Sequence, residues 1–133
     1  GRMISVKIEI YDQKLQIINI YAPNNPVDRK QFIKQLREVI DETCLQIFAG
    51  DFNCVFDGTM DRLPRSITKD QGYSEMVELM NQFNLEDLFR KRFPTKQTFT
   101  FSRGSSKSRI DLFLTSCLLD CFVKKHFYLA LSL

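Results

Sequence analysis

The sequence predicts a layered α/β fold with a mixed, largely antiparallel sheet, and three observations carry that expectation. From Met3 to Tyr11, Ile4, Val6, Ile8 and Ile10 alternate with Ser5, Lys7 and Glu9, the period-two pattern of a half-buried strand. Leu45 to Ala49 is a mostly apolar run of strand length, broken by Gly50 and followed by Asp51-Phe52-Asn53. Stretches with apolar residues at helical spacing lie between and after these runs. The resulting order, strand, strand, helix, strand, helix, strand, strand, reads as layers of helix on sheet.

Each element has its own signal. Asp12-Gln13 is a short turn, and Leu15 to Tyr21 is a second, more continuously apolar strand; so tight a connection predicts an antiparallel hairpin. Ala22-Pro23-Asn24-Asn25-Pro26 stops it. A helix is expected from about Val27 to Thr43, with Phe32, Leu36, Val39 and Ile40 on one face and Arg29, Lys30, Lys34 and Arg37 elsewhere. After the central strand, Val55 to Gln71 reads as a long irregular stretch carrying Asp57, Asp61, Arg62, Pro64, Arg65, Lys69 and Asp70, and such loops are often functional. Tyr73 to Phe83 returns to helical spacing, and Leu85 to Phe89 reads as a further helical turn. Arg90 to Pro94 is a basic link, Thr98 to Phe101 a strand, Arg103 to Lys107 a polar turn, and Ser108 to Leu114 the returning strand. A largely apolar tail runs from Cys121 to Leu133, with a β-like segment around Phe127 to Leu131.

At 133 residues the chain is one domain or part of one, and its 44% hydrophobic content suffices for a core. No run approaches the roughly 18 consecutive apolar residues of a membrane span. The opening Gly1-Arg2-Met3-Ile4-Ser5 is not a charged-then-apolar leader. A net charge of +3 permits a polyanionic partner without demanding one. Cys44, Cys54, Cys117 and Cys121 fit neither metal-ligand spacing nor a paired framework, and are expected as free, mostly buried thiols in a reducing compartment. A single histidine, His126, argues against structural zinc.

Chemistry concentrates at strand ends. If the backbone stays extended past Ala49, Asp51 and Asn53 point to the same side. A carboxylate beside an amide at the mouth of a buried strand suits metal or phosphate chemistry; an ordinary turn is the competing reading. Asp111 interrupts the apolar run from Ile110 to Leu114, where a carboxylate is costly to bury unless paired or solvated. An edge position, or bonds to backbone donors, is the alternative. Tyr21 reads either as a core aromatic or as a site residue, and Asn24 either as a turn or helix cap or as a site residue.

Taken in order, Ile17-Ile18-Asn19-Ile20-Tyr21-Ala22-Pro23-Asn24, Gly50-Asp51-Phe52-Asn53 and Ser108-Arg109-Ile110-Asp111 resemble successive motifs of the endonuclease/exonuclease/phosphatase superfamily, over nearly the whole chain. Within it, the chain looks most like the apurinic-type endonuclease domain of non-LTR (LINE-type) retrotransposons. That narrower resemblance rests on Asn84 to Arg90, on Phe93-Pro94, and on Thr98-Phe99-Thr100-Phe101-Ser102 leading into Ser108 to Asp111. It implies a four-layered α/β sandwich and a divalent-metal phosphodiesterase, usually dependent on Mg²⁺ (or Mn²⁺). By position it implies that Asp51 activates or orients the attacking water and that Asn53 holds the phosphate. Tyr21 would place its hydroxyl near the scissile phosphate, with Asn24 close by. Asp111 would hold the ring of a catalytic histidine, and Thr100, ahead of Thr98, would line the DNA side. Oriented nucleophile and stabilised phosphate charge are what phosphodiester cleavage needs.

The family also has an early strand with a metal-binding Glu and an Asn, and a closing Ser-Asp-His motif. Neither is found here, and His126, beside Lys124 and Lys125, lies too early for the catalytic role. The expectation is a partial domain over residues 1–133, truncated at both ends, with the main metal ligands outside the chain and activity weak or absent. Ser108, Arg103, Lys107 and Arg109 surround the turn next to Asp111 and are the expected DNA contacts, with Arg62, Arg65 and Arg90 to Arg92 as further basic residues; solvated surface charge is the competing reading for each. Three functions compete: a DNA endonuclease leaving a 3′-hydroxyl for a reverse transcriptase in the parent polyprotein, a superfamily phosphatase or phosphodiesterase on a non-DNA substrate, and a catalytically dead remnant that binds nucleic acid weakly. The expected partners are DNA and that reverse transcriptase, with no membrane. The expected state is a monomer, intracellular, and nuclear if genomic DNA is the substrate.

Overall fold

In the computed structural model, β1 (Met3–Ile10) and β2 (Gln13–Tyr21) form the expected antiparallel hairpin, in register from Met3↔Ile20 to Ile10↔Gln13. Tyr11 and Asp12 turn the chain with φ of 47° and 64°, the left-handed pair whose twist suits a two-residue hairpin loop. The structure describes residues 1–122, so the tail segment 127–131 and His126 lie outside the described residues. Helix α1 (Pro26–Leu36) starts where Asn25 accepts the N–H groups of Val27 and Asp28 and Pro26 occupies the first turn. It carries the chain across to β3 (Leu45–Asp51), which runs parallel to β2. There follow β4 (Arg62–Leu63), α2 (Tyr73–Gln82), β5 (Leu85–Asp87), α3 (Leu88–Arg92), β6 (Phe101–Arg103), β7 (Ser106–Ser108), β8 (Asp111–Ser116) and a 3₁₀ turn, Cys117–Phe122.

A five-stranded sheet has the order β1-β2-β3-β8-β5, antiparallel except for β2–β3, and a three-stranded sheet has the order β4-β7-β6. The fold is thus mixed α/β and mostly antiparallel, as the sequence predicts. One face of the larger sheet presents Ile18, Ile20, Phe48, Leu112, Leu114 and Leu85 to Ile33 and Leu36 of α1 and Met76 and Leu79 of α2, with Phe52 and Cys54 in the same cluster. Each such side chain contributes about 1.5–3 kcal/mol by leaving water. Cys44 and Cys54 are free and buried, and burial pushes the Cys54 thiol up to about 12.

Tertiary contacts moved several boundaries. The alternation in β1 was expected to bury its isoleucine face, but Ile4, Val6 and Ile10 are exposed. Their partners across the hairpin, Asn19, Ile17 and Gln13, lie on the side away from the helices, and only Met3 of β1 packs against the core. Helix α1 stops at Leu36 instead of Thr43 because the Gln16 amide donates to Val39 O (2.8 Å) and accepts from Asp41 N–H (2.8 Å), holding that stretch as turns. Leu85 to Asp87 is an edge strand on β8, not a helical turn: Asn84, at φ 50°, turns the chain out of α2 and Leu85 pairs with Ser116. The strand expected over Thr98 to Phe101 begins only at Phe101, and the one expected over Ser108 to Leu114 is broken at Arg109 and Ile110 into β7 and β8. The long loop is largely irregular, but Arg62 and Leu63 within it pair with Ser108 and Lys107.

At Gly50 the Ile20 backbone of β2 leaves no room for a side chain on β3. Gly50 has a φ of +126°, and a Cβ there would sit 2.1 Å from the Ile20 carbonyl oxygen. Gly50→Ala is therefore expected to cost about 3 kcal/mol or more in urea denaturation. A loss under about 1 kcal/mol would show that the strands can part at no cost.

Candidate active site

Tyr21 ends β2, Asp51 ends β3 and Asp111 opens β8. The parallel register sets Tyr21 beside Asp51, and the antiparallel register sets Asp51 opposite Asp111. Paired residues project to the same face, so the three form one row across neighbouring strand ends. Tyr21 and Asp111 are exposed and Asp51 is half-buried. Two carboxylates directly opposite one another are unfavourable. Asp111 answers the cost that the sequence raised by standing at the first, solvated position of its strand.

Asn53 is held differently from the sequence expectation. The extended backbone ends at Asp51, and Asn53, at φ 48°, turns back so that its N–H donates to Asp51 Oδ1 at 2.8 Å. Its Nδ2 donates to Ala22 O at 2.8 Å, while Ala22 N–H donates to Asp51 O at 2.7 Å. The Tyr21–Asn24 and Gly50–Asn53 motifs are thereby joined. Phe52, fully buried, donates its N–H to Ile110 O at 2.9 Å and joins the third motif to them. Asn24 is exposed, and the helix cap is Asn25, not Asn24. Burial holds the Asp51 carboxyl above its ordinary range; the Asn53 N–H opposes this, the Asp111 charge reinforces it, and Arg29 opposes it.

Thr100 reaches the row through the backbone. Its hydroxyl oxygen accepts the N–H groups of Ile110 and Asp111, each at 3.1 Å, and its own N–H donates to Ser108 O at 2.9 Å. With Thr98, Phe89, Phe113 and Asp111 it lines a cleft of about 220 Å³. Arg103 and Lys107 are exposed on the β6–β7 hairpin, and Ser108 is half-buried.

Arg109 corrects an expectation. Anticipated as a DNA contact, it is 2% exposed. Its Nε and Nη2 each donate to Asp61 at 2.8 Å, Nη2 also donates to Asp87 at 2.6 Å, and its N–H donates to Asp61 O at 2.8 Å. Burial would lower the pKa of the guanidinium, but Asp61 and Asp87 outweigh it and raise it. Arg90 binds the same Asp61 carboxylate and sends its Nη1 to the carbonyls of Phe93, Pro94 and Lys96. Asp61, Asp87 and Arg29 were not singled out from sequence as site residues, because nothing in their spacing reveals a partner far along the chain.

Among the described residues, no group of three or more His, Cys, Asp or Glu side chains converges. Asp51 and Asp111 offer the hard oxygen donors that suit a divalent cation in kind, but alone they do not complete a site.

The chain belongs to the endonuclease/exonuclease/phosphatase superfamily: the family model described as endonuclease-reverse transcriptase matches residues 15–128. It is 30% identical over 128 residues to the transposon TX1 uncharacterized 149 kDa protein of Xenopus laevis, covering 90% of this chain and 10% of that protein. Solved structures with the same fold include an AP endonuclease from Archaeoglobus fulgidus (17% identity, TM-score 0.64, 87% of this chain and 53% of that one). Others are the AP endonuclease of Leishmania major (18%, TM-score 0.66, 92% and 48%) and the endonuclease domain of TRAS1, a telomere-specific non-LTR retrotransposon (16%, TM-score 0.63, 89% and 52%). The chain thus spans about half the length of these structures and a tenth of the TX1 protein.

Two outcomes are expected. Arg109→Met, which takes the buried partner from Asp61 and from the half-buried Asp87 and leaves Asp61 with Arg90 alone, should cost about 3–5 kcal/mol in urea melting, against under about 0.5 kcal/mol for Arg103→Gln; equal costs would mean that the Asp61–Arg109 contact does not hold the fold. At Asp51 the folded state binds its proton more tightly than the unfolded chain. Stability is therefore lost as pH rises from the ordinary value of 3.8 through the raised folded value. Asp51→Asn removes that loss, so in EDTA at about pH 7 it should melt above wild type, with the gain fading at about pH 3. A lower melting temperature at neutral pH would contradict the assigned shift.

Proposed function

We propose that this chain forms part of a metal-dependent DNA endonuclease domain of retrotransposon type, one that nicks target DNA to leave a 3′-hydroxyl. The observation that carries the reading is the Tyr21–Asp51–Asp111 row, in which the fold keeps two like charges face to face at no benefit to packing. A carboxylate displaced upward from its ordinary range is a better proton acceptor at neutral pH, so Asp51 takes the proton of the attacking water or aligns it. One N–H of the Asn53 amide is committed to Ala22, and the second is the donor for a phosphate oxygen. Tyr21 and Asn24, both exposed, donate to the phosphate from the β2 side.

Asp111, fixed through Thr100, orients an imidazole contributed from outside these residues. Asp51 and Asp111 are the oxygen donors that would face a divalent cation, Mg²⁺ or Mn²⁺, whose main ligands would lie outside these residues and which would supply charge neutralisation at the phosphate. Arg103 and Lys107 contact DNA phosphates from the hairpin; Arg109 instead supports the Asp111 backbone. In this reading the 133 residues alone turn over weakly, the working partner is a reverse transcriptase on the same polyprotein, and the site of action is nuclear.

The test is nicking of supercoiled plasmid with Mg²⁺ by the full-length protein. Asp51→Ala is expected to slow nicking by about 10²–10⁴-fold. Arg103→Gln with Lys107→Gln should weaken DNA binding and flatten its salt dependence. Nicking unaffected by Asp51→Ala would sink the assignment. Cleavage of small phosphate esters without cleavage of DNA would replace it with the phosphatase reading, and DNA binding without any cleavage would leave a remnant.

A further inference from the structure

In the segment that joins β2 to α1 the carbonyls are held by side chains, while the Tyr21 and Ala22 N–H groups donate to the Arg2 and Asp51 carbonyls. Arg2 Nη1 donates to Tyr21 O (3.5 Å), Asn53 Nδ2 to Ala22 O (2.8 Å), and Arg29 Nη1 to both Pro23 O (3.4 Å) and Asn24 O (2.9 Å). Arg29 Nε also donates to Gln71 O at 3.0 Å, so one guanidinium ties this segment to the end of the long loop. The stem of Arg29 packs under Gly72, where a Cβ would lie 3.6 Å from Arg29 Cγ and 2.9 Å from Ile33 Cδ1. Arg29 is 6% exposed although its neighbours Asp28 and Lys30 are exposed. Among the described residues, no ion pair joins it to a carboxylate. A buried cation bound only to carbonyls is an unusual choice for a surface helix, since the same packing is available to an uncharged side chain.

We propose that Arg29 is a positioning residue for the candidate active site: its guanidinium straps Pro23 and Asn24 to Gln71 at the end of the long loop, and so sets where Tyr21 and Asn24 stand beside the carboxylate row. Both carbonyls are drawn inward, which leaves the Asn24 and Tyr21 side chains exposed where a substrate phosphate would approach. The fork reaches three carbonyls on two segments, which a lysine ammonium on a flexible stem cannot do at once. The strap stands on geometry alone, while its consequence for turnover rests on the endonuclease reading.

The experiment pairs two readouts on the full-length protein, for wild type, Arg29→Gln and Arg29→Lys. Hydrogen exchange by mass spectrometry over residues 21–25 is expected to speed up at least about tenfold in both variants, with exchange in the second half of α1 unchanged. In plasmid nicking, Arg29→Gln should lower kcat about tenfold while KM for the plasmid changes less than about twofold. Arg29→Lys, which keeps the charge but not the planar fork, should lower kcat as far. Wild-type kcat in Arg29→Lys, or a loss confined to KM, overturns the proposal. Unchanged exchange at residues 21–25 overturns it as well, even if the protein proves not to nick. Faster exchange in a protein whose wild type does not nick upholds the strap and sinks the endonuclease reading instead. If Arg29→Gln fails to fold, the lysine variant still decides, since wild-type exchange and wild-type kcat in it refute the fork.

Discussion

A guanidinium buried between two carboxylates holds the smaller sheet and the long loop to the larger sheet. Arg109 lies in the two-residue break between β7 and β8, Asp61 in the long loop just before β4, and Asp87 at the end of β5. Their bonds bring together three segments whose chain separations are large, and Arg90 adds a fourth through the carbonyls that follow α3. A buried ion pair of this kind is a poor source of net stability, because desolvation consumes most of the attraction. It is a strong source of geometry, because the planar fork accepts few arrangements. The β7–β8 break is placed by this contact, and Asp111 is the second residue after Arg109.

The candidate site is built by the same means. Its row of Tyr21, Asp51 and Asp111 follows from register, so no loop has to find it. Register would leave two carboxylates repelling each other, and a web of backbone and side-chain bonds from Ala22, Asn53 and Thr100 keeps both in place. Burial of Asp51 adds to the cost that Asp111 imposes on its ionised form. Strain of this sort belongs at a place where something else, a substrate or an ion, relieves it. Its neighbours are chosen accordingly: Phe52 and Ile110 anchor the motif backbones in the core while the polar residues beside them face out.

Much of this could be read from the chain. Period-two alternation placed β1, the more continuously apolar runs from Leu15 to Tyr21 and Leu45 to Ala49 placed β2 and β3, and Tyr73 to Phe83 placed α2 to within a residue. Asp51, Asn53, Asp111, Tyr21 and Asn24 were legible as candidates because polar residues abutting apolar strands need a reason. Misreadings have a common cause. Leu85 to Asp87 has helical composition but is claimed by the edge of β8, α1 is cut short by a glutamine from β2, and Asn53 leaves the strand for a bond to Asp51.

By itself the sequence determined the alternation of strands and helices, the hairpin, the three polar motifs and the family that they share, since these depend on local periodicity and on residues adjacent in the chain. Only the tertiary structure decided which basic residues are surface and which are struts. Arg29 lies between exposed, charged Asp28 and Lys30, and Arg109 follows the exposed hairpin of Arg103 and Lys107; their burial depends on Asp61, Asp87, Gln71 and the Pro23–Asn24 carbonyls meeting them in space. A guanidinium is one of the few side chains that can reach several acceptors on separate segments at once. Its role is therefore set by where those segments are brought, which no local pattern records.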